Sequence, residues 1–86
     1  MPEISRFFGI IIRMYFGDHP PPHFHAEYGG SRIKIEIATL VVIDGELPPR
    51  ALGLVTEWAA LHQAELLDLW RLAAANQPLH KLPPLE

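Results

Sequence analysis

Residues 18–37 read DHPPPHFHAEYGGSRIKIEI, and the way this stretch folds decides how the rest of the chain is arranged. Pro20, Pro21 and Pro22 each fix their own φ and disfavour helical geometry in the residue before, so the approach is extended and a strand can begin directly after it. From His23 the chain alternates, with Phe24, Ala26 and Tyr28 on one face and His23, His25 and Glu27 on the other. Gly29-Gly30 supplies the positive φ that a two-residue primed hairpin turn demands. Counting back from that turn sets Tyr28 opposite Ser31, Glu27 opposite Arg32, Ala26 opposite Ile33, His25 opposite Lys34, Phe24 opposite Ile35 and His23 opposite Glu36. Apolar residues then meet apolar ones, while His23, His25, Glu27, Arg32, Lys34 and Glu36 share the other face. A slip by one residue would exchange the two faces, so turn chemistry and side-chain pattern support one register.

Outward from this hairpin, Ile4 to Phe8 is an apolar lead-in, Gly9 offers a bend, and Ile10 to Phe16 is the first clear strand. Ile10, Ile12, Met14 and Phe16 line its core side; Ile11, Arg13 and Tyr15 line the other. Downstream, Ser31 to Ile37 alternates cleanly, Ala38-Thr39 turns the chain, and Leu40 to Ile43 is β-branched enough for a fourth strand before Asp44-Gly45 closes the sheet. A helix begins near Pro49, where a missing amide hydrogen costs nothing. Leu52, Val55, Ala59, His62, Leu66, Leu69 and Ala73 follow helical spacing, Trp58 and Trp70 extend the same side, and Glu57, Gln63, Glu65, Asp68 and Arg71 can face water. One long helix, or two divided near residues 61–63, satisfies the pattern. Asn76-Gln77-Pro78 stops it, leaving a proline-containing tail over 77–86 whose Leu79, Leu82 and Leu85 can clip onto the body or a partner. The expected fold is a single α+β domain over residues 1–86: a small three- or four-stranded antiparallel sheet followed by one long or two consecutive helices packed on it.

Eighty-six residues suit one domain with a modest core. The absence of cysteine excludes disulfides, thiolate zinc sites and cysteine nucleophiles. The opening MPEISRFFGIIIRMYF lacks a small-residue cleavage pattern, and Arg13 interrupts its apolar run too early for a membrane span, so a cytoplasmic protein is expected. A formal charge of −3, with seven Lys and Arg scattered along the chain, does not favour nucleic acid, although Arg6, Arg13, Arg32, Lys34 and Arg50 could converge in space. Surplus apolar residues, Ile11, Tyr15 and the tail leucines, point instead to a small protein partner or a homo-oligomer such as a dimer.

The chemistry concentrates in the first half of the hairpin. His23 and His25 can turn two imidazoles toward a common divalent transition metal, with His19 arriving from the loop and Glu27 or Glu36 supplying oxygen. Such donors suit zinc, manganese, iron, nickel or copper far better than calcium. Three protein ligands would leave a position for water and so permit hydrolysis. Lys34 opposite His25 opposes a metal unless it points outward. The simpler account is a surface half-sheet in which His23 pairs with Glu36, Glu27 with Arg32, and His25 with the proline loop, each pair contributing about 0.2 to 1 kcal/mol. Asp18 reads first as a turn residue satisfying its own backbone. His62 reads as a packed helix residue, and His80 reaches the site only if the tail folds back. No H-E-x-x-H helix, phosphate loop or G-x-S-x-G elbow is present.

The segments ISRFFGIIIRMYFGDHPPPHFHAEYGG and LPPRALGLVTEWAALHQAELLDLW resemble the bacterial family known as domain of unknown function 4160, over about residues 4–82. The resemblance implies a compact single domain, often encoded beside another small domain, and therefore a regulatory or toxin–antitoxin-like pair. By it, His19 matches the first histidine of the family's histidine-rich segment, and His23 and His25 match the pair before its acidic residue, here Glu27. Arg50, Trp58, His62, Glu65 and Trp70 match recurrent helical positions. The chain departs near Leu40-Val41, where relatives commonly carry a glycine-containing turn after Thr. Two functions follow from these observations: a small bacterial interaction or regulatory domain, or a metal-dependent hydrolase or nuclease using the histidine-rich strand, with Arg13, Arg32, Lys34 and Glu36 as a further candidate surface.

Overall fold

The computed structural model describes residues 2–86. Five strands run in chain order as an antiparallel meander: β1 (Glu3–Phe7), β2 (Ile10–Arg13), β3 (His23–Tyr28), β4 (Ser31–Glu36) and β5 (Val42–Gly45). Two helices follow, α1 (Pro49–Leu61) and α2 (Gln63–Ala74), so the α+β arrangement is the one expected, with one strand more than the upper count. That strand is the apolar lead-in. Phe8 and Gly9 both take positive φ, 51° and 78°, and turn β1 tightly back onto β2. Phenylalanine rarely adopts that conformation, which is why its sequence does not announce a turn.

The β3–β4 hairpin has the expected register throughout, from Tyr28 opposite Ser31 to His23 opposite Glu36. Within its turn only Gly29 has positive φ, at 59°, the pattern of a II′ turn. β2 is shorter than the expected strand, ending at Arg13, and Met14 leaves the sheet while remaining buried. β5 is displaced toward the C-terminus from 40–43 to Val42–Gly45, because Leu40 adopts φ 59° within the connection, at the place where the family resemblance expects glycine. Glu36 N–H donates to the Val41 carbonyl and Leu40 N–H to that of Glu36, closing this turn.

The core lies between one sheet face and the helices. Ile10, Ile12, Phe24, Ala26, Ile33 and Ile35 face Val55, Trp58, Ala59, Leu66, Leu69 and Ala73, all buried. Each large apolar side chain removed from water stabilises the fold by about 1.5 to 3 kcal/mol. Trp58 is the centre of this layer, with its ring 6.0 Å from Phe24 and 5.5 Å from Phe7. The helical pattern resolves as two helices because His62 leaves helical geometry at φ −127°, ψ 21°. Gln63, expected in water, instead donates through Nε2 to the carbonyls of Ile37 at 2.8 Å and Ala38 at 3.3 Å, which ties the helix junction to the end of β4.

The tail folds onto its own chain. Leu82 N–H donates to the Ile4 carbonyl at 2.7 Å, Ser5 Oγ donates to the Leu82 carbonyl at 3.2 Å, and Trp58 Nε1 donates to the Pro83 carbonyl at 2.8 Å. Leu82 is buried, and Leu79 and Leu85 pack against the core. The leucines therefore cover the outer edge of β1, and among the described residues the large apolar side chains left exposed are Phe8, Phe16, Tyr28, Val41, Ile43 and Leu61.

Two glycines predict opposite responses to the same substitution. Gly45 sits at φ 76° and an added Cβ would collide with the Arg32 carbonyl oxygen on the neighbouring strand. Gly53 lies inside α1 with open space where its Cβ would be. Gly45→Ala should destabilise by about 2 kcal/mol or more, whereas Gly53→Ala should stabilise by about 0.5 to 1 kcal/mol. Urea unfolding midpoints of the two variants, compared at equal m-value, measure both signs.

Candidate metal centre

The loop 14–22 carries the chain from β2 back to β3, and in place of the extended approach that its prolines suggest, it bends at Pro20 and Pro21, whose shared peptide bond is cis. The Ile37 N–H donates to the Pro22 carbonyl at 3.0 Å, pinning the loop to the end of β4. This path brings Asp18 over the start of β3. Its Oδ1 accepts the His19 amide at 2.9 Å, as a turn aspartate does, and its Oδ2 lies 3.0 Å from His23 Nε2 and 3.2 Å from His25 Nε2. The three donor atoms of Asp18, His23 and His25 lie within 4.8 Å of one another. Strand alternation places both histidines on one sheet face, with ring centroids 5.1 Å apart. Trp70 of α2 stands 5.2 Å from the His23 ring and Tyr15 stands edge-on to His25 at 4.4 Å, so aromatic walls flank the pair. His23 is 4% exposed, His25 15% and Asp18 21%, which makes the cluster sheltered but reachable.

Proton arithmetic at His23 is decisive for what this cluster can hold. Its Nδ1 is 2.8 Å from the Pro21 carbonyl, which can only accept, so the ring proton belongs on Nδ1. A neutral ring then presents a lone pair at Nε2 to a carboxylate oxygen 3.0 Å away. Two lone pairs face each other unless a cation, a proton or a metal ion, lies between them. Burial raises the proton affinity of Asp18, but hydrogen bonds from His25 and the His19 amide, together with the positive charge that His23 and His25 carry when protonated, outweigh it, so the carboxyl is held below its ordinary range. His25 is also shifted down, first by burial, with the charges of His23 and Lys34 adding to it against the opposing pull of Asp18. The cluster thus favours a charged carboxylate beside an imidazole that readily gives up its extra proton, which is the protonation a metal requires of its ligands. A tetrahedral ion with bonds of about 2.0 to 2.2 Å places its ligand atoms roughly 3.3 to 3.6 Å apart; the Asp18 separations of 3.0 and 3.2 Å fall a little short of that, and all three donor atoms lie within 4.8 Å of one another. The Pro21 carbonyl supplies the backing hydrogen bond that metal-bound imidazoles commonly have.

The expected ligand set is redistributed. His23 and His25 meet as anticipated. His19 is exposed and contributes only its backbone amide, and Asp18 stands where His19 is expected. Glu27 lies beyond the cluster, its carboxylate 3.2 Å from Arg13 Nε on β2 rather than paired with Arg32. Glu36 accepts the Thr39 hydroxyl instead of pairing with His23. The surface half-sheet account fails at His23, which is buried and turned to Asp18. His62 is the packed residue expected, its ring 5.2 Å from Trp58 and its Nδ1 2.6 Å from Glu65 Oε1, and His80 is exposed. Asp18 is legible in one respect only: an acid two positions before a proline run that must fold back over the following strand.

An antiparallel meander backed by two helices, carrying two histidines and one carboxylate on one sheltered face, defines the class of protein. The chain belongs to the family described as Domain of unknown function (DUF4160), whose model matches residues 9–71 and takes in Asp18, His23 and His25. No curated protein and no solved structure matches the chain. Among the described residues no helix is long and apolar enough to cross a membrane.

Asp18→Ala removes the oxygen that both imidazoles face. In metal-free protein at neutral pH it should destabilise by about 1 to 3 kcal/mol, while Asp44→Asn at an exposed position should stay within about 0.5 kcal/mol of the parent. Chemical denaturation of both variants gives the comparison.

Proposed function

We propose that the protein binds one divalent transition-metal ion through Asp18 Oδ2, His23 Nε2 and His25 Nε2, and that it acts as a metal-dependent hydrolase. The observation that carries this reading is His23: a buried imidazole whose two nitrogens both face oxygen acceptors, 2.8 Å and 3.0 Å away, with a second imidazole on the same carboxylate oxygen. Two nitrogens and one oxygen suit zinc, manganese, iron, nickel or copper. Three protein ligands leave coordination positions open, and an ion held there would polarise a substrate oxygen or a water molecule. Tyr15 beside His25 and Trp70 beside His23 restrict solvent, which strengthens electrostatic effects at the ion.

A protein-interaction or regulatory function draws on different residues. Phe8 and Tyr28 are exposed and line, with Pro48, Arg50 and Leu54, an apolar cleft of about 350 Å³ at the turn end of the sheet. That surface supports a partner of some kind. It is compatible with a metal site elsewhere on the chain, and a toxin–antitoxin-like pairing is one setting in which both would operate.

Elemental analysis of protein purified without chelator should return close to one equivalent of a divalent transition metal, and the His23→Ala/His25→Ala double variant should return less than about a tenth of that. Asp18→Ala should lower affinity by more than about 100-fold, beyond the 10- to 100-fold that a supporting hydrogen-bond partner typically carries. His19→Ala and Glu27→Gln should bind as the parent does. Equal loss in His19→Ala would restore the loop histidine as a ligand, and metal-free parent protein that takes up no added zinc or cobalt would end the proposal.

A further inference from the structure

We infer that the cleft beside the metal ligands receives the phosphate group of a small phosphate ester; this rests on the metal site proposed above and gives it a substrate class. The cleft, about 360 Å³, is lined by Tyr15, His25, Glu27, Arg32, Lys34 and Asp44 among others. Of the three proposed ligands His25 lines this cleft, so the cleft adjoins the metal site on that side.

The charges on this wall are unequally committed. Glu27 is neutralised by Arg13 at 3.2 Å. Arg32 and Lys34 take part in no ion pair among the described residues. Lys34 stands directly across from His25 in the sheet register, close enough for its charge to act on that ring. Asp44 is its partner on the other side, on edge strand β5, exposed and outside ion-pair distance of any cation among the described residues. One uncompensated positive charge therefore remains on the protein wall, and a divalent ion partly neutralised by Asp18 adds another. The sum suits a dianion. Guanidinium and ammonium groups two residues apart on one strand face offer a fork and a point charge to a tetrahedral oxyanion, while the ion takes a third oxygen.

Size and overall charge select a small ester over a polymer. A cleft of about 360 Å³ is near the lower end of the roughly 300 to 1,000 Å³ range of small-molecule sites. The chain carries a formal charge of −3, and Glu57, Glu65 and Asp68 lie exposed on the helices, so the protein offers no general attraction to a nucleic-acid backbone.

Phenyl phosphate is the probe. Cobalt(II)-loaded protein reports entry of an anion through its visible d–d bands, and amide shifts of metal-free protein report occupation of the cleft whether or not a metal binds. Phenyl phosphate should shift the cobalt bands and move the Arg32, Lys34 and Tyr15 amides. The Arg32→Gln/Lys34→Gln variant should bind it at least about tenfold more weakly while retaining cobalt affinity. Cobalt binding with neither spectral nor amide response to phenyl phosphate overturns the inference and leaves the metal site standing. Amide shifts without cobalt binding do the opposite: the phosphate cleft stands and the metal site falls. Benzoate binding as tightly as phenyl phosphate, or a single-stranded DNA oligonucleotide binding more tightly, overturns the assignment to a small phosphate ester.

Discussion

A two-glycine turn and the one strand register it permits are the constraint on which this structure depends. With Gly29 at positive φ, β3 and β4 pair so that Phe24, Ala26, Ile33 and Ile35 meet the helices, and every residue between them points the other way. The period of two makes this a binary choice: shifting by one residue would place His25 and Lys34 under Trp58 and expose two isoleucines. Hydrophobic burial therefore decides where the polar residues stand, although it makes no contact with them. The histidine pair and the cations Arg32 and Lys34 occupy one face because their neighbours occupy the other.

Register alone does not assemble the cluster, since His23 and His25 would be ordinary half-buried imidazoles without the loop. The loop from Met14 to Pro22 supplies what they lack, a carboxylate above and a carbonyl beside them. Prolines suit this segment because their fixed φ already narrows its conformations in the unfolded chain, so less conformational entropy is lost on folding it. The Pro21 carbonyl in turn dictates where the His23 proton sits. A backbone acceptor thus governs the chemistry of a side chain two residues on, and the conflict it leaves at Nε2 is one that a bound cation resolves.

What is legible in the sequence divides along the same line. Local rules hold where local forces decide: the Gly29-Gly30 turn, the facing pairs of β3 and β4, the apolar side of the helices, and the two alternatives at residues 61–63. They fail where a residue adopts a conformation against its preference. Phe8 and Leu40 both take positive φ, so β1 reads as a lead-in and β5 as a strand two residues early. They also fail where a partner comes from a distant turn of the chain. Asp18 has a local use, capping the His19 amide, and that use hides the second one, because the two are performed by different oxygens of one carboxylate. Glu27 reads as the partner of Arg32, its cross-strand neighbour in the hairpin, yet Arg13 claims it from β2. With Arg13 opposite His25 and Ile11 opposite Glu27, β2 flanks this carboxylate as closely as β4 does, and its cation competes for it.

Phe24 links the two halves of the molecule. It lies between His23 and His25 in sequence, and its fully buried ring stands edge-on to Trp58, 6.0 Å away. Fixing Phe24 fixes the backbone that aims both histidines, so the precision of the cluster is set on the opposite side of the sheet. Trp58 is itself held from behind, its indole N–H donated to Pro83 in the tail that also bonds to Ile4 and Ser5. The C-terminal segment bonds to β1 and α1 rather than to the histidines, yet it completes the packing that orients them. A site on a strand needs this kind of support, because ligand geometry tolerates errors of only about half an ångström. In so small a domain the support comes from one apolar layer shared by the strand, the helices and the tail.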